Sequence, residues 1–299
     1  MVCCILRPRE HRMKMRALGP ALVGVLLLQA CTIQTFALRS LDNLFDNTVA
    51  SFMEEGDLRL AEQGVAGNLK LLDGVIKSDP ENGRFLLLAC QGYAAYALAF
   101  AEDSPERALA FYTRAWDYGA RGLESLGVPQ KVFTSDAPAM RQALAKLERK
   151  DVPLVFWTAS AWGSAVILQL ADPDAIASLP SINAMMEWVK EKDSTYYYGG
   201  PYLYFGIYYG SFPPLLGGRP DLAKENFERA IAAGEGKFLM TYVFYAKTYA
   251  VETQDERLFE ALLDHVIDAS ADVLPEQRLA NAVAKKRAHE ALARKSDFF

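Results

Sequence analysis

Few residues in this 299-residue chain have the types and spacing that chemistry needs. Asp264-His265 with Asp268 could suggest a metal, and acid pairs such as Glu54-Glu55 could suggest acid–base work. A zinc site takes three or four convergent ligands. The Asp264–Asp268 group lies on a helix that stands without a ligand, so the side chains read as a solvated face. The chain has no H-E-x-x-H, G-x-S-x-G, phosphate-binding or dinucleotide fingerprint. No catalytic residue, metal or cofactor is assigned. What it does have is tyrosine. Tyr196, Tyr197, Tyr198, Tyr202, Tyr204, Phe205, Tyr208, Tyr209 and Phe212 fall within seventeen residues. Tyrosine joins an apolar body to a polar tip, which suits a half-wet cavity or a partner surface better than a reaction.

The elements that position these residues have a repeating pattern. Tyr202, Phe205, Gly206 and Tyr209 spell Y-x2-F-G-x2-Y, and Tyr242, Tyr245, Ala246 and Tyr249 repeat it forty residues later. Ala223, Phe227 and Ala230 complete A-x3-F-x2-A between them. This is tetratricopeptide spacing, normally about 34 residues per unit. The surplus fits an insertion at Phe212–Gly218. A small residue at Gly206 or Ala246 lets the paired helix approach closely. The segment from Ser104 to Ala115 aligns with Arg219 to Ala230, including proline, acid, Ala108/Ala223, Tyr112/Phe227 and Arg114/Arg229. Apolar positions elsewhere recur at three-and-four spacing. Helices are expected over 38–55, 58–78, 84–101, 104 to about 126, 137 to about 149, 153–170, 172–192, 255–269 and 275–294. Lys285-Lys286-Arg287 reads as the exposed polar cap of the last helix. The expected fold is all-α, a superhelix of tetratricopeptide-like helical hairpins (an α-solenoid) forming one domain over 38–299.

In that geometry, helix positions offset from the seam line a concave groove. Counting from Gly206 and Ala246 gives Leu203, Ile207, Val243 and Lys247. A weaker alignment at Gly92 adds Tyr93 and Tyr96, and Trp162 is a further wall residue. A groove of Tyr93, Tyr96, Trp162, Leu203 and Ile207 would accept a small apolar ligand, with Lys247 placed to pair with a carboxylate.

The N-terminus carries an address. Lys14 and Arg16 precede a short apolar run, Leu18–Leu28, that is below the ~20 residues a spanning helix needs. Leu28-Gln29-Ala30-Cys31 resembles a bacterial lipobox, which implies acylation of Cys31 and cleavage before it. Residues 1–30 are then the signal peptide (1–12 an upstream extension) and 31–37 a lipidated tether. Thr32, in place of an aspartate after the lipidated cysteine, points to the inner leaflet of the outer membrane. Residues 1–30 hold five basic residues and one acidic residue; without them the formal charge moves from −5 to −9. Such a surface repels nucleic acid and anionic lipid, so the membrane is met through the N-terminal lipid alone. Cys90 reads as a small buried hydrophobe.

Nearly all of the mature chain resembles a known family, the T-component proteins (TatT) of tripartite ATP-independent periplasmic (TRAP) transporters. The likeness rests on Arg107-Ala108 to Trp116-Asp117-Tyr118-Gly119, on Phe156–Gly163, on Gly217-Gly218-Arg219-Pro220 to Phe227–Ile231, and on Arg278–Ala288. It implies a non-catalytic periplasmic lipoprotein that pairs with the solute-binding P-component. It also implies a role in uptake of apolar or organic-acid solutes, in a form that could be a homo-oligomer. The second reading is a tetratricopeptide lipoprotein in outer-membrane assembly; a third is an α/α-toroid glycosidase.

Overall fold

The computed structural model describes residues 44–299 apart from 213, 214 and 216. The signal, Cys31 and the tether lie outside the described residues. The chain divides into two compact units, 1–51 and 52–299. Of the first, residues 44–51 are described; they are helical and run on as α1 to residue 53. No strand occurs among the described residues, so the chain is all-helical as expected.

The helices begin where side chains can satisfy free N–H groups. Helix α2 (Leu58–Ser78) follows Asp57, whose carboxylate accepts from the Arg59 and Leu60 amides, and it buries Ala61, Leu69, Leu72 and Ile76. Asn82 does the same for α3 (Gly83–Phe100). Helix α4 (Pro105–Ser125) opens on proline, whose missing N–H is harmless there. Asp136 caps α5 (Ala137–Leu144), which stops short of Arg149. Helix α6 (Val152–Ile167) is apolar nearly all round, as an element at the centre must be. It packs on α3, α4, α8 (Leu179–Lys192) and α9 (Tyr196–Ser211).

The single helix expected over 172–192 is two. Helix α7 (Pro173–Ala177) ends at Ser178 before α8 begins. Pro180 disfavours a continuous helix through the residues before it, because its ring crowds the preceding turn and it has no N–H. The C-terminal half holds α10 (Pro220–Ala233), α11 (Met240–Tyr245), α12 (Glu256–Asp268) and α13 (Arg278–Ala293). Close approach of α9 to α10 depends on Gly206, where a Cβ would stand 2.9 Å from the Phe227 ring. Gly92 instead faces α2, with Leu69 Cδ2 2.7 Å from where a Cβ would be.

Within the 52–299 unit, the last helix returns to the first. Helix α13 packs on α2, and Arg278 donates to the Glu54 carbonyl at 3.2 Å. Arg287 reaches the end of α3, donating to the Leu98 carbonyl and pairing with Glu102 at 2.5 Å. The run Lys285–Arg287 is therefore not an exposed polar cap. Lys285 donates to the Ile267 and Ala269 carbonyls at the end of α12, and the Arg287 side chain is 12% exposed. Only Lys286 points outward, toward Glu290. Consecutive helical residues diverge by about 100°, so three basic neighbours cannot share one face.

Truncating Arg287 would leave the Glu102 carboxylate, 27% exposed, without its cation and the Leu98 carbonyl without its donor. Arg287→Ala is expected to destabilise the protein by about 2–3 kcal/mol. Urea unfolding followed by circular dichroism checks this; an unchanged midpoint would show that the pair does not hold the ends together.

Candidate functional site

Helices α3, α6, α9 and α13 and one irregular segment supply most of the wall of a cavity of about 390 Å³ in the 52–299 unit, with single residues from α1, α4 and α8. That lies at the lower end of the ~300–1,000 Å³ range of small-molecule sites. Helix α3 contributes the small Ala94, Ala95 and Ala99, which make room. Helix α6 adds Phe156, Trp157 and, one turn apart, Ser160 and Ser164. Leu203, Ile207 and Ser211, each four residues on, form the α9 wall, and Leu279 and Val283 come from α13. Met240, Phe244, Lys247 and Thr248 line the remaining side from one continuous helical run.

That run is irregular where it matters. After α11 the backbone widens into a π-helical turn over Ala246–Ala250 before returning to α geometry. Such turns insert a residue, re-aim the side chains beyond, and recur at functional sites. Here the turn carries Lys247. Lys247 lines the cavity while its side chain stays solvent-exposed. Partial desolvation beside these walls, reinforced by the Arg287 charge, lowers the Lys247 pKa; Glu102 opposes the shift.

Charge at this end of the cavity is otherwise matched. Glu102 accepts from Arg287 and, at 2.8 Å, from the Tyr112 hydroxyl. Burial first, and the Glu102 charge second, push the Tyr112 hydroxyl well above its ordinary range, so it stays a neutral donor. Lys286 pairs with Glu290 and Arg294 with Asp297. Lys247 makes no hydrogen bond or ion pair among the described residues.

The other end is aromatic and strained. Tyr197, Tyr198 and Gly199 are all left-handed, at φ 48°, 58° and 79°. Only glycine adopts that region without penalty. The turn holds Tyr197 edge-on to Trp157 at 4.8 Å and to Phe238 at 5.6 Å. Gly200 follows, where a Cβ would lie 2.6 Å from the Phe156 ring.

Of the residues the sequence singled out, the structure brings Leu203, Ile207 and Lys247 to one cavity. Tyr93, Tyr96 and Trp162 stand elsewhere. The Tyr93 hydroxyl donates to Asp73 on α2 at 2.8 Å, beside Tyr118, which donates to the same carboxylate. Tyr96 accepts from Arg107 at 2.9 Å. Each tyrosine tip has turned to a partner on α2 or α4. Trp162 lies tilted against Trp116 at 5.5 Å and borders a separate hollow of about 190 Å³. Val243 is core. Cys90 is fully buried, and burial pushes its thiol up to about 12. Sequence reasoning missed Glu102, Phe244 and the α6 wall. The three-and-four spacing of Ser160, Gly163, Ser164 and Ile167 was the available signal.

Lys247 is solvent-exposed, so the partial desolvation of its ammonium beside apolar walls opposes folding only weakly. Lys247→Met is expected to raise the melting temperature of the unliganded protein at pH 7, by about 2–4 °C per kcal/mol relieved, with cavity water keeping the gain modest. The folded-state pKa is lowered, so the wild-type penalty is full below it and fades as pH rises through it. The variant's advantage should shrink in alkaline buffer. Melting curves at neutral and alkaline pH test both parts; a variant less stable at pH 7 would contradict the assignment of Lys247 as an uncompensated charge.

The match to known proteins agrees with this architecture. A family model described as TRAP transporter T-component covers residues 54–299. An uncharacterized protein of Treponema pallidum (strain Nichols) is 23% identical over 265 residues, spanning 83% of this chain and 82% of that one. By the extent of the family match, which takes in all but one of the residues lining the cavity, the chain belongs to the TRAP transporter T-component family.

Proposed function

We propose that this T-component is a non-catalytic periplasmic scaffold, anchored by lipid on Cys31, that binds the solute-binding P-component of a TRAP system and holds a small apolar or organic-acid ligand in its central cavity. The observation that carries this reading is the cavity itself. A space of about 390 Å³ walled by Leu203, Ile207, Phe156 and Phe244 is poor packing for a helical bundle, and a ligand would fill it. The helix pairs α3–α4 and α9–α10, with their aligned proline–acid starts, support a tetratricopeptide-like arrangement of the hairpins.

Absence of catalysis is favoured by the chemistry of the walls. Glycoside hydrolysis needs two carboxylates across the sugar. Glu102 is the one carboxylate lining the cavity among the described residues, and Arg287 and Tyr112 already hold it. Among the described residues no helix is long and apolar enough to cross a membrane. That is compatible with attachment through the acylated N-terminus, and Thr32 favours the inner leaflet of the outer membrane.

Two measurements test the reading. Native mass spectrometry of the gently extracted protein should find an apolar or carboxylate ligand, the P-component, and the number of copies per assembly. Isolation with barrel-assembly proteins instead would favour the second scaffold role. Cys31→Ser should abolish labelling by radioactive palmitate and shift the protein out of the outer-membrane fraction on a sucrose gradient; unchanged labelling would rule out Cys31 as the anchor.

A further inference from the structure

We propose that the cavity binds a single-headed alkyl carboxylate, with the carboxylate on the Lys247 ammonium and the chain along Phe244, Ile207 and Leu203 toward the Trp157–Tyr197 end. This rests on the reading of the cavity as a ligand site and specifies what occupies it. Lys247 is the one cation lining the cavity among the described residues. The charged groups around it are already engaged, Glu102 with Arg287, Lys286 with Glu290 and, at 3.8 Å, with Asp103, and Arg294 with Asp297. The lining cation, without an ion pair among the described residues, thus stands at a defined place on an otherwise apolar wall. The helix leaves α geometry at that place.

The head and the tail follow from the wall. A lone ammonium is a point charge that balances one carboxylate; a phosphate monoester carries about −1.5 to −2 at pH 7, and no second cation lines the cavity among the described residues to match the excess. Ser160, Ser164 and Ser211 also line the space, but as neutral groups they cannot balance charge. The Thr248 hydroxyl is committed to the Phe244 carbonyl at 2.7 Å. A second anionic head would face either the aromatic end or Glu102, and both oppose it. The class is therefore a monocarboxylate with a short hydrocarbon chain, which the cavity volume bounds.

The test compares octanoate with octan-1-ol, which share a chain and differ in charge. Each is titrated calorimetrically into the full-length lipoprotein in nanodiscs, with empty nanodiscs as the blank. Wild type should bind octanoate at least about tenfold more tightly than octan-1-ol, the scale of one charge-assisted contact. Lys247→Met should remove that preference while leaving octan-1-ol affinity within about threefold of wild type, and Lys247→Arg should keep the preference. Circular dichroism verifies folding, and Lys247→Gln serves if the methionine variant does not fold. Equal wild-type affinity for the two ligands, or a preference that survives Lys247→Met, overturns the carboxylate assignment and leaves the apolar cavity standing. Binding of neither ligand overturns the cavity reading as well.

Discussion

The pairing of Arg287 with Glu102 is the interaction on which the cavity depends. It joins α13, the last long helix, to the end of α3, and so closes the 52–299 unit around a space. It also settles the electrostatics of that space. The arginine neutralises the one acid on the wall, and the Tyr112 hydroxyl completes the carboxylate's hydrogen bonds. With Glu102 taken, Lys247 is left without an ion pair among the described residues. A helix packed without that cross-link would leave the same lysine a nearby acid, and the site would have no net demand for a ligand.

Much of the helical fold was legible because capping residues mark helix starts in the sequence itself. Asp57, Asn82, Asp136 and Asp255 each accept from a first-turn amide, and proline opens α4 and α10. Interior geometry was not legible. Three left-handed residues at Tyr197–Gly199 run against the preference of tyrosine, and only tertiary packing on Trp157 and Phe238 can hold them there. The π turn at Ala246–Ala250 has no composition of its own. The run Lys285–Arg287 illustrates a related limit, since charge alone does not say whether a side chain ends in water or on a buried carbonyl.

The candidate site divides along the same line. Counting outward from Gly206 and Ala246 reached Leu203, Ile207 and Lys247, because those small residues do mark helix seams: Gly206 sits against Phe227, and Ala246 is fully buried. The same count from Gly92 reached Tyr93 and Tyr96, but Gly92 sits against Leu69 of α2, so its neighbours have other surroundings. There Asp73 and Arg107 supply partners for the two hydroxyls. A tyrosine's apolar body permits several faces; its polar tip chooses among them by partner, and that partner lies in another helix.

Economy of packing gives the last step. Protein interiors fill space to crystal-like density, and an internal void or an unpaired ammonium each lowers stability. This chain has a half-open apolar hollow and, on its wall, a solvent-exposed lysine without an ion pair among the described residues, with a strained aromatic turn at the far end. A scaffold that served only to hold helices in position would gain stability from a larger residue at Ala94 or Ala95 and an apolar one at Lys247. The apolar hollow and the lysine without an ion pair would both be satisfied by an occupant that brings a hydrocarbon chain and one negative charge. Such an occupant fits the proposed function, and the contacts of α13 with α2 and with the end of α3 hold the walls that would receive it.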